Sequence, residues 1–283
     1  MSKVGVVTDT ISCIPENLVQ ELDIKIVPTG LIIDRKHYKD TELSNDEFWK
    51  LFNSTKEQIT TTAVKPTDFI DVFSELAKST DSMVCITVSA KLSATNAAAI
   101  KARETMMEEK PDLHIEIIDS TTAAGAEGFL VIEAARAAKA GKKLEEIVKL
   151  VNDMIPRVKF VTAMNTLKYL IRSGRAPKMA VIGDMMNVKP LIGMISGTGL
   201  VESLGRVRGK EKAMQKLVEL MKENIDTSKP AHVMLHYTDG IVPAEQLKEM
   251  VTSQMNCKEV HITPYTPVMS SQTGPVFAIS FYT

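Results

Sequence analysis

The sequence predicts an α/β fold built from two α/β domains, and three observations lead to that prediction. Short runs rich in β-branched residues alternate with amphipathic helical patterns, an order typical of parallel βαβ units. The chain has 283 residues, more than a single domain usually contains. Apolar residues make up 44% and charged residues 24%, as in an ordinary globular protein with a packed core. We predict an N-terminal domain over residues 1–156, with a mainly parallel sheet flanked by helices, and a C-terminal α/β domain over residues 157–283.

The first half alternates strand and helix signals. Its strand-like runs are KVGVVTD, DIKIVPTGLII, SMVCITVSA and LHIEIIDS. Ser44 and Glu47 form a capping box in front of FWKLF, and Thr67 is predicted to cap a helix that runs DFIDVFSELAK. From residue 123 to 155 the pattern stays helical, apart from an Ala-Gly turn at 140–141. These helices are expected to cover the sheet.

The second half begins near Pro156 and repeats the α/β alternation. Its helical patterns are LKYLIRSG, KEKAMQKLVELMKENI and AEQLKEMVTSQM. Its strand patterns are KFVTAM, AHVMLHY, EVHITPY and VFAISFY. The sequence GTGL at 197–200 separates two apolar segments and predicts a hairpin turn.

Composition and charge argue against several classes of protein. Thirty-four basic and thirty-five acidic residues give a net charge of −1, whereas a nucleic-acid binder normally carries a basic surplus. No apolar run is long enough for a membrane span, and the N-terminus lacks the features of a signal peptide. Cys13, Cys85 and Cys257 form no CxxC pattern, so neither a disulfide framework nor a zinc site is predicted. We expect a cytoplasmic protein with no nucleic-acid partner and no integral membrane association.

Two clusters of hydroxyl side chains are candidate ligand-binding segments. Thr60, Thr61 and Thr62 precede a predicted helix, where hydroxyls either satisfy backbone N–H groups or bind a ligand, and the sequence leaves both interpretations open. Ser93 lies between the strand SMVCITV and an alanine-rich helix. A helix N-terminus at the carboxyl end of a parallel strand suits a carboxylate or a phosphate. The alanines beyond it either leave room for an apolar ligand or allow close packing on the sheet.

Charged and titratable residues give weaker signals. Arg172 and Arg175 end a predicted helix, where cations are favourable for structural reasons alone. Arg208 lies in a VRGK loop that suits either solvent or a protein partner. His232 and His236 have the spacing of a metal-binding pair, but they lie in a strand pattern without a zincin glutamate, so no metal site is predicted.

Catalytic motifs are not evident in the sequence. Asp9 and Asp119 end two predicted strands, where they either pair with loop backbone or line a cleft. The chain contains no Ser/His/Asp pattern, Walker loop or GxGxxG fingerprint. An enzyme that transfers a phosphoryl or acyl group through Asp9, Asp119 or Ser93 stays an alternative. A sensor of another small carboxylate or phosphorylated ligand is a second alternative.

Eight short motifs, taken together, resemble the DegV family. Each motif is weak alone, but eight in order with sensible spacing over the whole chain argue against a chance match. They are VTDT near the start, TTAVKPTDF (61–69), SAKLSATNAAA (89–99), IIDSTTA (117–123), RSGR (172–175), NVKPLI (187–192), VRGKEKAM (207–214) and TGP (273–275).

The resemblance implies a carrier of a long-chain fatty acid and not an enzyme. It implies a tunnel between the two α/β domains that holds the acyl chain, and no cofactor. In family members that serve fatty acid kinases, a separate kinase subunit phosphorylates the carboxylate from ATP. The carrier itself supplies no nucleotide site.

The resemblance also assigns residues. The family's carboxylate-binding threonine corresponds to Thr61, its helix-start serine to Ser93 and its arginine in a GGR-like turn to Arg175. Arg208 corresponds to the position implied in docking of the partner.

Two departures from the family pattern affect the same site. TTAVKP replaces the commoner TSQPS form, which places Thr62 where the family has a serine. Gln272 stands where the family has a histidine. A glutamine amide still donates a hydrogen bond to a carboxylate, but it does not titrate near neutral pH as a histidine does. The geometry at the head group is therefore expected to differ from that of other members.

Overall fold

A computed structural model describes residues 4–177 and 187–283. The strands are β1 (Gly5–Asp9), β2 (Lys25–Val27), β3 (Gly30–Ile33), β4 (Lys36–Lys39), β5 (Thr60–Thr62), β6 (Ser82–Thr87), β7 (His114–Asp119), β8 (Lys159–Met164), β9 (Val188–Met194), β10 (Glu202–Arg208), β11 (Ala231–Tyr237), β12 (Cys257–Pro264) and β13 (Val276–Tyr282). The helices are α1 (Glu16–Leu22), α2 (Asn45–Ser54), α3 (Pro66–Leu76), α4 (Thr95–Glu109), α5 (Ala124–Lys139), α6 (Leu144–Met154), α7 (Lys168–Arg172), α8 (Lys210–Glu223), α9 (Val242–Thr252) and α10 (Pro267–Thr273).

The first half is organised around a four-stranded sheet in the order β2-β1-β6-β7, in which every pair is parallel. Its strands are nearly continuous apolar runs because both faces are covered, as parallel sheets require. Helices α3 and α4 cover one face, and α5 covers the other. The predicted α/β fold with a parallel sheet flanked by helices is thereby confirmed.

The second half is organised around a six-stranded mixed sheet in the order β10-β9-β8-β13-β11-β12. Only β11 and β12 are parallel; the other pairs are antiparallel. The predicted turn at GTGL lies in the connection between the antiparallel strands β9 and β10. Helices α8 and α9 pack on one face of this sheet. β13, the last strand in the chain, lies in the middle of the sheet.

A third sheet, in the order β4-β3-β5, corrects two expectations from the sequence. The run DIKIVPTGLII is not one strand: it divides at Pro28 into β2 and β3, which lie in different sheets. Pro28 lacks the N–H that would continue a ladder. Thr60–Thr62 form strand β5 and do not cap the next helix, which begins at Pro66.

The helix predictions agree with the structure more closely than the strand predictions do. The capping box of Ser44 and Glu47 is present at the start of α2. The long helical pattern divides into α5 and α6 at the predicted Ala-Gly turn. Thr67 is not a cap: Pro66 occupies the first helical position, and the Asp68 carboxylate accepts the backbone N–H of Lys65 instead.

Helix α5 lies between the two large sheets and joins them. It contacts β1 and β6 on one side and β8, β11 and β13 on the other. Two glycines allow this close approach. A side chain at Gly125 would lie 2.6 Å from His236 Nε2, and a side chain at Gly128 would lie 2.6 Å from the Ser12 carbonyl oxygen. Twelve of the sixteen residues of α5 are buried.

The domain boundary near Pro156 stays a prediction. Helix α6 ends at Met154, just before it, and β8 begins at Lys159, just after it. The largest apolar cluster, however, contains side chains from both sides of Pro156. Within the described residues, no helix is both long and apolar enough to cross a membrane.

Candidate functional site

An apolar cavity lies between the first and second halves of the chain. Its volume is about 90 Å³, below the roughly 300–1,000 Å³ of most small-molecule sites, so a larger ligand would have to widen it. Its walls come from loops and strands of both halves. The lining side chains are Ile11, Thr29, Thr61, Thr62, Val88, Leu92, Ser93, Ala123, Phe160, Thr162, Leu170, Arg175, Ile192, Met194, Val201, Val268, Met269, Gln272 and Thr273.

The structure brings five of the six predicted site residues to this cavity. Thr61, Thr62, Ser93, Arg175 and Gln272 all line it, although the first and last are more than two hundred positions apart in the chain. Arg208 does not line it. Arg208 is the exposed last residue of β10, so its assignment to partner docking stays a prediction.

Strand β5 positions the two threonines. Thr61 pairs with Leu31 of β3, and Thr62 pairs with Gly30. The Thr62 hydroxyl fills the place of a side chain at residue 30: a Cβ there would lie 2.0 Å from Thr62 Oγ1. Gly30 therefore allows Thr62 to pack closely on β3.

Ser93 lies in the β6–α4 loop (residues 88–94), two residues before α4. Its hydroxyl is 2.8 Å from Thr95 Oγ1 and accepts the backbone N–H of Thr95. Ser93 thus lies just before the start of α4, and its assignment as a ligand-binding serine stays a prediction. The first N–H groups of α4 lack a side-chain cap at Ala94, so this end of the helix is favourable for a negative charge.

Arg175 is half-buried at the same end of the cavity. Its Nε donates to the Leu92 carbonyl oxygen over 2.7 Å, and one terminal nitrogen donates to Gln272 Oε1 over 3.1 Å. Within residues 4–177 and 187–283, no carboxylate pairs with it. Burial lowers the pKa of Arg175, but a guanidinium stays charged in proteins. A half-buried cation without a described counter-ion favours an anionic ligand.

Gln272 lies on α10, whose position depends on a residue that sequence reasoning missed. The Asp40 carboxylate accepts the Val268 backbone N–H over 2.8 Å at the start of α10. Asp40 comes from the first half, and α10 comes from the second. Because 228 residues separate the two partners, no local pattern identifies the pair.

The head-group end of the cavity adjoins a polar cleft of about 360 Å³. Thr61, Arg175 and Gln272 line both the cavity and the cleft. The cleft is also lined by three further cations, Lys56, Lys168 and Arg172, and by one acid, Glu57. A carboxylate held by Thr61 and Arg175 would therefore face an open, electropositive space.

Comparisons with known proteins agree with this architecture. The DegV family model matches residues 3–283. The chain belongs to the DegV family. A DegV domain-containing protein of Caldanaerobacter subterraneus subsp. tengcongensis is 36% identical over 241 residues, which cover 84% of each chain.

Solved structures of DegV proteins share the fold. A DegV family protein from Thermus thermophilus, described by its fatty acid binding, matches with a TM-score of 0.90 at 25% identity over 100% of both chains. A DegV family protein from Eubacterium eligens, solved with heptadecanoic acid, matches with a TM-score of 0.88 at 19% identity over 99% of both chains.

Other titratable groups of this DegV protein hold loops in place. The Asp9 carboxylate accepts the backbone N–H groups of Ile11 and Val88 over 2.9 and 3.0 Å. The Asp119 carboxylate accepts those of Ala90 and Thr121. Of the two interpretations that the sequence left open for these acids, pairing with loop backbone is the one the structure shows.

Asp9 provides a test of the pH dependence of stability. Burial raises the pKa of Asp9 to about 6, whereas an unfolded Asp has a value near 3.8. The folded state therefore binds the proton more tightly, and this stabilisation is lost as pH rises from about 4 to about 6. We expect wild type to lose about 3 kcal/mol relative to Asp9→Asn over that window. Urea unfolding at pH 4 and 7 measures the difference, with Asp71→Asn on the exposed surface of α3 as control. If the difference in unfolding free energy between wild type and Asp9→Asn were the same at pH 4 and pH 7, the raised pKa of Asp9 would be contradicted.

His232 and His236 do not share a site. His236 is buried between α5 and the sheet, where burial lowers its pKa to about 3. Its neutral ring accepts the Gly125 backbone N–H at Nε2 over 3.2 Å. The backbone N–H at the start of α5 is thus satisfied from the second half of the chain.

His232 belongs to a separate polar cluster with Glu133 and Glu259, whose ligand atoms lie within 4.8 Å of one another. Arg136 already forms ion pairs with both carboxylates, at 2.6 and 2.7 Å. Burial raises the pKa of Glu259, but hydrogen bonds from Arg136, His232 and His261 outweigh it and lower that pKa. The Arg136 guanidinium thus neutralises charge on both acids.

Proposed function

We propose that this DegV protein binds one long-chain fatty acid in the cavity and presents its carboxylate to a separate ATP-dependent fatty acid kinase. The observation that carries the proposal is the half-buried Arg175, which lies without a described counter-ion at the open end of an otherwise apolar cavity. Thr61, Thr62, Ser93 and Gln272 lie around the same end and supply hydrogen-bond donors for a carboxylate. The DegV neighbours that bind fatty acids support this assignment.

The acyl chain would supply most of the affinity. Burying roughly fifteen methylenes at about 0.8 kcal/mol each gives an upper limit of about 12 kcal/mol before ordering costs. Charge-assisted hydrogen bonds to the carboxylate add about 1.5–3 kcal/mol each at most. The head-group residues therefore serve mainly to orient the acid and to reject uncharged lipids.

The polar cleft supports presentation to a partner. The carboxylate would lie where the cavity meets the cleft, so a kinase could reach it without displacing the acyl chain. Lys56, Lys168 and Arg172 would favour the added negative charge of a phosphoryl group there. The ATP site would belong to the partner, because the chain lacks a phosphate-binding loop. Arg208 is the proposed docking residue.

Mass spectrometry of lipid extracted from the purified protein tests the proposal. About one equivalent of a long-chain fatty acid per chain is expected, and the spectrum would name its length. A protein that carries no fatty acid and does not bind added palmitate would contradict the proposal. Transfer of phosphate from ATP by the isolated chain would favour the enzyme alternative instead.

Ser93→Ala is expected to weaken fatty-acid binding about tenfold while leaving the melting temperature nearly unchanged, because one hydrogen bond to a charged group is lost at a part-buried position. Titration with a fluorescent fatty acid measures the affinity. Ser79→Ala, whose hydroxyl bonds only locally to the Leu76 carbonyl, is the matched control. Equal affinity of Ser93→Ala and wild type would remove Ser93 from the head-group site.

A further inference from the structure

Two loops from opposite halves of the chain meet over the acyl cavity. The β6–α4 loop contributes Val88, Leu92 and Ser93 to one wall. The hairpin of β9 and β10 contributes Ile192, Met194 and Val201 to the facing wall. The tip of this hairpin (residues 195–201) lies against the β6–α4 loop, so the two segments form a seam along the cavity.

Two side chains of the β6–α4 loop cross the seam. The Ser89 hydroxyl, which is fully buried, donates to the Gly199 carbonyl oxygen over 2.7 Å. The Lys91 ammonium donates to the Thr198 carbonyl oxygen over 2.6 Å. A side chain at Gly199 would lie 2.8 Å from Ser89 Oγ, and Gly199 has a φ of +78°. Glycine therefore fits this position with the least strain, both beside the Ser89 hydroxyl and in its backbone conformation.

The same two residues organise the head-group loop. The Ser89 carbonyl oxygen accepts the backbone N–H groups of Leu92 and Ser93, over 2.9 and 3.2 Å. The Ser89 hydroxyl also accepts the Lys91 backbone N–H. A displacement of Ser89 would consequently shift Ser93 and the Leu92 carbonyl to which Arg175 is bound. The seam and the carboxylate site are mechanically linked.

The hairpin has two features that permit movement, an edge strand and a bulge. β10 is an edge strand, so it pairs with β9 alone in its sheet. Its ladder is interrupted between Ser203 and Gly205, where Gly205 has a φ of +113°. A bulge of this kind is a natural position for a bend. The cavity walls elsewhere include strands in the interiors of sheets.

We propose that Ser89 and Lys91 form a latch that holds the acyl cavity closed and that opens at the hairpin tip when a fatty acid enters or leaves. This inference rests on the proposed function of fatty-acid binding. Ser89 and Lys91 do not themselves line the cavity; their side chains hold the hairpin tip against the β6–α4 loop and so act on the entry and exit of the acid.

Exchange kinetics distinguish a latch from a merely structural contact. Ser89→Ala and Lys91→Met should each raise the association and dissociation rates of a fluorescent fatty acid by about three- to tenfold, as expected for loss of one hydrogen bond. The equilibrium affinity should change little, because both variants keep the residue 89 carbonyl that holds Leu92 and Ser93 in place and remove a side-chain bond across the seam. Ser93→Ala should instead raise the dissociation rate alone. Lys101→Met, which removes an exposed lysine of α4 paired with Glu104, is the control.

A cross-link tests the latch even if a single substitution disturbs folding. A Cβ at residue 199 would lie 2.8 Å from Ser89 Oγ, which brings Ser89→Cys and Gly199→Cys within reach of a disulfide. The left-handed backbone at residue 199 would cost the cysteine about 1–2 kcal/mol. The oxidised double variant should exchange fatty acid much more slowly than the reduced one, and reduction should restore the rate. Ser89→Cys alone, oxidised in parallel, controls for the native cysteines.

The outcomes are separable. A wild-type protein that binds no fatty acid would overturn the proposed function itself. Tight binding with equal exchange rates in the oxidised and reduced double variant would overturn the latch and leave the proposed function standing.

Discussion

Replacing Arg175 by methionine should weaken fatty-acid binding by about ten- to a hundredfold, which corresponds to the about 1.5–3 kcal/mol of a hydrogen bond to a charged group. Arg175 is the one predicted site residue that carries a full positive charge into the cavity. Methionine keeps much of the apolar stem and removes the guanidinium, so packing is largely retained. The carboxylate would then be buried without its cation. Titration with a fluorescent fatty acid measures the loss.

Two further variants show whether fatty-acid affinity depends on the planar guanidinium of Arg175 or only on its positive charge. Arg175→Lys keeps the charge but cannot reach the Leu92 carbonyl and Gln272 together, so we expect an intermediate affinity. Arg103→Met removes a cation from α4, away from the cavity, and should bind like wild type. If Arg103→Met lost as much affinity as Arg175→Met, the effect would come from overall charge and not from the site. Thermal melts exclude unfolding as the cause.

Gly128→Val should lower the free energy of unfolding by about 3 kcal/mol, near the upper end for overpacking of a core. A Cβ at residue 128 would lie 2.6 Å from the Ser12 carbonyl oxygen and 3.2 Å from an Ile14 side-chain atom. The Ser12 carbonyl belongs to a buried turn, whose Ser12 hydroxyl bonds to the Asp9 carbonyl, so it has little room to move. Helix α5 would have to shift away from the parallel sheet.

Gly240→Val is the matched control because a Cβ at residue 240 would meet nothing within 4 Å. Its stability in urea should stay close to that of wild type. A Gly128→Val protein as stable as Gly240→Val would show that α5 is not wedged between the sheets. Fatty-acid binding should fall with stability in Gly128→Val, since Ala123, just before α5, lines the cavity.

Local patterns in the sequence predicted local structure well. The periodicity of apolar residues located α5 and α6, and the capping box located the start of α2, because these features depend on neighbours within four positions. The α/β class followed from the same alternation. The assignment of the head-group residues came from the resemblance to the DegV family, since a lone Thr61 or Ser93 has several structural explanations.

Long-range pairing explains what the sequence did not predict. Thr60–Thr62 are a strand only because β3, some thirty residues earlier, supplies their ladder. Asp40 supports α10 from 228 residues away. The apolar wall of the cavity is assembled from single residues such as Leu92, Ile192 and Met269, none of which differs locally from an ordinary core residue. Such positions are decided by tertiary contacts, which no short window contains.

The central position of β13 also bears on how the protein is made. Helix α5 rests on a sheet whose middle strand is residues 276–282, so one side of the helix stays uncovered until that strand has left the ribosome. At about 5–20 residues per second, this leaves an apolar helix exposed on the nascent chain for roughly 10 s. During this interval the apolar side of α5 that faces β8, β11 and β13 is exposed. The cavity includes Met269, Gln272 and Thr273, so it cannot form before α10 has been synthesised.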